Sequence, residues 1–289
     1  MELQIMKKLY YAILASVVLL ASDHANAQTA KSLFWRSDSL QVTEIVSDVA
    51  DQYRKVGHHG PAVENSHMAL RIYFNDSGAV DLYTKSGRGM ELDRNLWYPS
   101  AEDQDQYGVG RDAYIVGKTV GFGGVALWDG EKEVKLIATK GRTARVGETK
   151  KGSYAEMIAY GVEYKGTLVD ISIRIDMNSK KREAVMTATE LSGEKVAFLT
   201  GVNYHEGQKL SFDKEYISVW GAHPAKELSI PIGAGMRFSQ KDFPTVEKTD
   251  DMIRIISKPS SQVETTLIGA SVMEAELNSV KRFEAYMAQ

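Results

Sequence analysis

The sequence predicts an all-β protein, a large antiparallel β-sandwich carrying a short helix near each end. Three observations predict it. From Met68 onward the chain breaks into about a dozen short runs rich in β-branched and aromatic residues, separated by turn residues, with no helical pattern between them. The clearest run alternates Leu168, Ile171, Ile173 and Ile175 with Asp170, Ser172, Arg174 and Asp176, the period of a strand with one buried face. Helical spacing is confined to two stretches, about 40–55 and about 274–288. With 43% hydrophobic and 25% charged residues, the 289-residue chain has the makings of a substantial core, which excludes a disordered or fibrous class.

In chain order, Lys7 and Lys8 precede an apolar run from Leu9 to Ala21 and then Ala25-Asn26-Ala27 before Gln28, which reads as an export signal cleaved after Ala27. The run is too short to anchor the chain in a bilayer. Residues 28–289 are then expected as one β-sandwich domain, periplasmic or secreted, with no membrane anchor. The chain has no cysteine, so disulfides, thiolate metal sites and a lipid-modified cysteine are all excluded.

Val42, Ile45, Val46, Val49 and Tyr53 recur at helical spacing between Asp38-Ser39 and Gly57, which predicts a helix over about 40–55. MALRIYF, AsnAspSerGly and AVDLYT then read as strand, turn and strand. Further strands are expected at EVKLIAT, TARVGET, YAEMIAYGVEY, EAVMTATEL, KVAFLTGV, YISVWG, LSIPIG, MIRIIS and TTLIGAS. The tail returns to helical spacing through Leu277, Val280 and Phe283. No repeat of 20–50 residues is visible, which disfavours a propeller or solenoid.

With 35 basic and 38 acidic residues, the formal net charge of -3 gives no field for a polyphosphate, so nucleic acid is not expected as a partner. No GxSxG, HExxH or P-loop pattern is present, which removes the readily recognised serine hydrolases, zincins and NTPases. The segment from Gly108 to Gly130 is unusually rich in glycine. A nucleotide loop would need a helix after Gly121-Phe122-Gly123-Gly124, whereas Val125 to Trp128 reads as a strand. Two readings stay open there: close packing of backbone, or a glycine floor for a flat ligand. The acidic loop Ser100–Asp105 lacks the EF-hand pattern, and no histidine pair has HxH or HxxxH spacing. No metal and no cofactor are expected.

Tyr107, Arg111, Asp112, Tyr114 and Lys118 crowd around those glycines, and in a strand Asp112 and Tyr114 would share a face. A carboxylate beside an aromatic ring suits a sugar, and an arginine can pair bidentately with an acidic one. His205 and His223 each follow a predicted strand, so both are expected at one rim of the sandwich, where a neutral imidazole can act as a base. Trp97, in an acidic loop beside Tyr98-Pro99, is a candidate stacking surface.

Glu64-Asn65, Arg71-x-Tyr73, Gly108-x-Gly110-x-Asp112-x-Tyr114-x-Val116-Gly117 and Gly121-x-Gly123-Gly124 occur in an order that resembles the bacterial family known as domain of unknown function 4861. The resemblance spans most of the mature chain. It implies an exported protein of polysaccharide-degrading bacteria, often in a setting of pectin or other uronate breakdown, with a sandwich similar to that of galactose mutarotases. The resulting expectation is a protein acting on acidic sugars or unsaturated uronides as a lyase, hydrolase or epimerase. The alternative is a non-catalytic carbohydrate-binding protein. His205, Tyr107 and Asp112 are the candidate catalytic residues, and Glu64, Asn65, Arg71, Arg111, Tyr114 and Trp97 the candidate substrate contacts.

Overall fold

The computed structural model describes residues 28–87, 89–92, 100–106, 109–224 and 229–289. The expected export signal, Trp97 and Tyr107 lie outside them. The fold is almost entirely β, with eighteen strands among the described residues, arranged in three sheets whose strand pairs are antiparallel.

A four-stranded sheet runs in the order β1 (Thr29–Ser32), β3 (Ala62–Asn65), β4 (Met68–Ile72), β5 (Val80–Thr84). A nine-stranded sheet runs β13 (Lys209–Phe212), β14 (Tyr216–Gly221), β15 (Ile232–Phe238), β18 (Gln262–Ser271), β11 (Ala184–Glu190), β10 (Thr167–Asn178), β9 (Gly152–Tyr164), β8 (Arg142–Thr149), β2 (Glu44–Ser47). A five-stranded sheet runs β16 (Thr245–Lys248), β17 (Met252–Ile256), β12 (Phe198–Asn203), β6 (Phe122–Trp128), β7 (Glu133–Val134).

The nine-stranded sheet forms one layer. The two smaller sheets form the other: β1, β3 and β4 lie on β9 or β10, β12 lies on β14 and β15, and β5 meets β6 at the seam between them. Along that seam Val80 makes a parallel bridge to Gly121, and the Val125 amide donates to Gly78 O. Side chains that alternate inward fill the space between the layers, among them Leu70, Leu82, Phe198, Ile173, Met186 and Leu267, each no more than 1% exposed.

Two short helices complete the described chain. Helix α1 (Ala101–Gln106) begins at Ser100, whose Oγ accepts from the Asp103 amide while the Asp103 carboxylate accepts from the Ser100 hydroxyl. The carboxylate-rich loop is thus largely a capped helix. Helix α2 (Val280–Met287) lays Phe283 and Met287 on Trp220 and Ile268, on the outer face of the nine-stranded sheet. Gly233 and Gly235 make room for it, because a Cβ at Gly235 would sit 2.4 Å from Met287 Sδ.

The helix expected over 40–55 is not there. Residues 44–47 are instead the edge strand β2, paired with β8, and Val46 and Val49 are 69% and 51% exposed. β-branched side chains favour the extended chain. Ser47 and Asp51 turn their side chains onto nearby backbone groups, which competes with helical bonding. The strand expected at EVKLIAT shortens to the two residues of β7, and LSIPIG gives way to β15 further on.

Candidate functional site

Alternation in β4 and β5 sends Leu70, Ile72, Val80 and Leu82 into the core and turns Arg71, Tyr73, Asp81, Tyr83 and Lys85 outward, with Glu64 of β3 beside them. The outer face of a sandwich sheet ordinarily meets water. Here the chain after Thr84 returns across it, and Met90 and Leu92 pack on Ala30 and Ala62. The charges beneath are therefore buried and matched.

One group fastens that covering chain. Lys85 donates to Glu64 and to Gly89 O, and lies 3.3 Å from Glu91. Glu64 accepts the amides of Glu91 and Leu92 at 2.9 and 3.0 Å; burial nevertheless holds its carboxyl above the ordinary range. Glu91 accepts from the Tyr83 hydroxyl at 2.5 Å and the Gly110 amide at 3.1 Å, tying down the far end.

A second group sits closer to the seam. The buried Arg71 guanidinium donates to Asp81 and, at 3.1 Å, to Asp112, while the Tyr73 hydroxyl donates to Asp81 at 2.5 Å. Burial opposes the Arg71 charge, but the two carboxylates outweigh it and raise its pKa. Burial, then Asp81, pushes the Tyr73 phenol far above its usual range, so it stays a hydroxyl donor. Tyr73 meets Tyr53 edge-on at 4.9 Å, and Tyr53 stacks on His59 at 3.8 Å between ring centroids. His59 Nδ1 lies 3.0 Å from Tyr53 O, which can only accept, so Nδ1 carries the proton and Nε2 is the basic nitrogen of the neutral ring. Burial lowers the His59 pKa to about 4, so the ring is neutral at pH 7. His58 and His59 both adopt left-handed backbone conformations, φ 53 and 63°, an uncommon pair of non-glycine residues that holds this imidazole in place. Tyr53, His59 and Tyr73 are half-buried and reach solvent, as does the Asp112 side chain at 19% exposure.

Asp112 and Tyr114 do not lie in a strand but in an irregular segment that runs beside β5. Arg111 bridges Thr84 at one end and Gly121 bridges Val80 at the other. Asp112 reaches Arg71, whereas the buried Tyr114 hydroxyl donates to Asn203 Oδ1. Three residues beyond Asp112, the Ile115 carbonyl accepts from Asn203 Nδ2 at 2.8 Å and faces His205 Nε2 at 3.3 Å; the Ile115 amide donates to His223 Nδ1 at 3.0 Å. His205 and His223 are 4.5 Å apart between ring centroids. His205 Nε2 lies between the Ile115 carbonyl, an acceptor, and Asn203 Nδ2, a donor at 3.4 Å, so either tautomer finds a partner there, whereas the Ile115 amide fixes the proton of a neutral His223 on its Nε2. Three residues of extended chain span at most about 11 Å, so the carboxylate and the imidazole pair belong to one locality.

Gly110, Gly121 and Gly124 serve close packing of backbone, whereas Gly117 and Gly130 border open space. A Cβ at Gly121 would lie 2.3 Å from Val80 O, one at Gly124 2.2 Å from Val120 O, and one at Gly110 2.1 Å from Thr84 O. Among the described residues no three His, Asp or Glu side chains are grouped to hold a metal ion.

The sequence profile of the family described as Domain of unknown function (DUF4861) matches residues 19–289. The chain belongs to that family. No curated protein matches it. Among solved structures it is similar to 4-alpha-glucanotransferase from Thermococcus litoralis at 10% identity, with a TM-score of 0.35 over 80% of this chain and 42% of that one. The chain thus spans less than half the length of that enzyme.

In this DUF4861 protein, the residues singled out from sequence divide by role. Asp112, Arg111 and His205 are partly accessible along one segment and its neighbours. Arg71 lies beneath Asp112 with its charge committed to two carboxylates, so it positions rather than receives. Glu64 is fully buried in the lock on the covering chain. Asn65 donates to Lys181 O and Arg182 O and accepts from the His67 and Met68 amides, which makes it a turn-builder. Tyr114 is a buried strut. Sequence reading passed over Tyr53, His59, Tyr73 and Asp81. The outward alternation of Arg71 with Tyr73 and of Asp81 with Tyr83 was the signal that could have found two of them; the His59–Tyr53 stack depends on a backbone kink with no sequence period.

Proposed function

We propose that this protein is an exported carbohydrate-active protein whose site lies where Asp112 meets the Arg71–Asp81–Tyr73 chain and the His59–Tyr53 stack. The observation that carries this reading is a solvent-reaching carboxylate, fixed by a buried guanidinium, in one locality with aromatic faces and the neutral His59 ring. A carboxylate binds sugar hydroxyls, and aromatic faces pack on the apolar face of a sugar ring. Arg111 is the contact for an acidic sugar, adjoining Asp112 on the same segment. His205 and His59, the latter with its unprotonated Nε2, are the bases for proton removal from a uronide. Tyr107 and Trp97 complete the proposed roles as further base and stacking surface.

The test is calorimetry with galacturonate, glucuronate and their unsaturated disaccharides, followed by mass spectrometry of each mixture. D112N is expected to weaken binding roughly tenfold, the size of one lost charge-assisted hydrogen bond. H205N is expected to keep binding and lose product. Unchanged binding by D112N would overturn the site. A sugar-holding module is the second reading, favoured by the backbone tethers on His59 and His223, and saturable binding without any product would establish it.

A further inference from the structure

Arg71 is matched by two carboxylates, which leaves Arg111, next to Asp112, to receive one anionic group, and a longer acidic chain needs further cations. Such cations lie near Tyr53. The chain at Trp35 bridges Val56 in antiparallel fashion, and the Arg36 amide donates to Lys55 O. This pairing gathers Trp35, Arg36, Ser37, Arg54 and Lys55 around an open depression of 440 Å³.

Three basic side chains line it, and among the described residues no carboxylate does. The two nearest acids in the sequence are engaged elsewhere: Asp38 accepts the Leu40 amide and Asp51 the Tyr53 amide, each at 2.9 Å. Arg145, Arg174, Arg182 and Arg254 all pair with carboxylates. Arg54 and Lys55, by contrast, have no ion pair among the described residues. Arg54 instead sits 5.8 Å from the Tyr53 ring centroid, on the ring that also stacks against His59. Like charges set close together destabilise a fold unless something of opposite sign occupies the space between them.

We infer that this depression is a subsite for an anionic group, a carboxylate or a sulfate ester, carried by a neighbouring unit of a glycan whose reacting sugar lies at Asp112. The half-buried indole of Trp35 supplies the packing face and Ser37 a hydroxyl. The guanidinium fork suits either planar carboxylate or sulfate oxygens. Arg54, which lines the depression, lies 5.8 Å from the Tyr53 ring centroid, and that ring stacks on His59 of the proposed sugar site. The inference rests on the proposed sugar site, and it makes the substrate class an acidic oligosaccharide rather than a single acidic sugar.

Calorimetry of the full-length protein tests it with tetragalacturonate, the methyl ester of that tetramer, galacturonate and a sulfated tetrasaccharide. The wild type is expected to bind the tetramer more tightly than the ester or the monomer, with affinity falling as salt rises. R54Q/K55Q is expected to weaken tetramer binding roughly tenfold while leaving the monomer unaffected, and R54K/K55R to restore it. Equal tetramer affinity in wild type and R54Q/K55Q would overturn the subsite, as would equal affinity for acid and ester or no binding of either anionic tetramer. Tighter binding of the sulfated probe, lost in R54Q/K55Q, would assign the anion to sulfate. If D112N leaves every affinity intact while R54Q/K55Q weakens the tetramer, the subsite stands and the sugar site at Asp112 falls.

Discussion

His59 illustrates how a single side chain is set by its surroundings. Its pKa of about 4 lies below the 6.5 of a free imidazole. Between those values the unfolded chain binds a proton that the native protein does not, so stability falls as pH drops from 6.5 toward 4 and is independent of this group above 6.5. Asn tolerates the left-handed backbone at this position. H59N is therefore expected to fold and to show a flatter loss of stability over that interval, measured by urea unfolding at a series of pH values. An unchanged acid limb would show that other groups govern it. Glu64 offers a second residue-scale test. E64Q leaves Lys85 buried with only Glu91 opposite it, and the expected loss is about 3 kcal/mol in the same assay.

At the scale of elements, strands were legible in sequence where one face is apolar, as in β10, because burial imposes a period of two. β2 was misread because Val42, Ile45, Val46 and Val49 happen to fall at helical intervals, while Ile45 and Val46 pair at a sheet edge where only one of them is buried. Helix α2 was legible since its apolar stripe is real: Phe283 and Met287 are buried against the nine-stranded sheet. F283A should cost about 3–5 kcal/mol in denaturant unfolding, the range for a deleted core aromatic ring. A loss below 1 kcal/mol would mean that the helix contributes little. The candidate site was legible only in part. Asp112, Arg111 and His205 stood out by chemistry, but the commitment of Arg71 and Glu64 to buried partners depends on the covering chain crossing the outer face of the sheet. No local pattern of residues encodes that crossing.

For the molecule as a whole, the segment from Gly110 to Gly121 touches all three sheets or their extensions: Thr84 and Val80 in the first, Asn203 in the five-stranded sheet, and His223 just beyond β14. A ligand held by Asp112 and its neighbours is thereby linked to the global stability of the fold. At one hundred times its dissociation constant it should add about 2.7 kcal/mol, read as a rise in Tm. D112N should lose that rise, whereas a ligand that shifts both proteins equally binds elsewhere.

The reach of this segment also has a consequence for the order of assembly. Its anchors lie far apart along the chain, with Ile115 and His223 separated by 108 residues and Tyr114 and Asn203 by 89. Contacts of such long range form only after the chain between them has been gathered, and sheet pairing at these separations is slow. The sheets therefore have to exist before this segment can settle. In refolding, formation of the proposed site is expected to trail recovery of the β signal, and a nascent chain would hold no complete site until synthesis had passed well beyond residue 223.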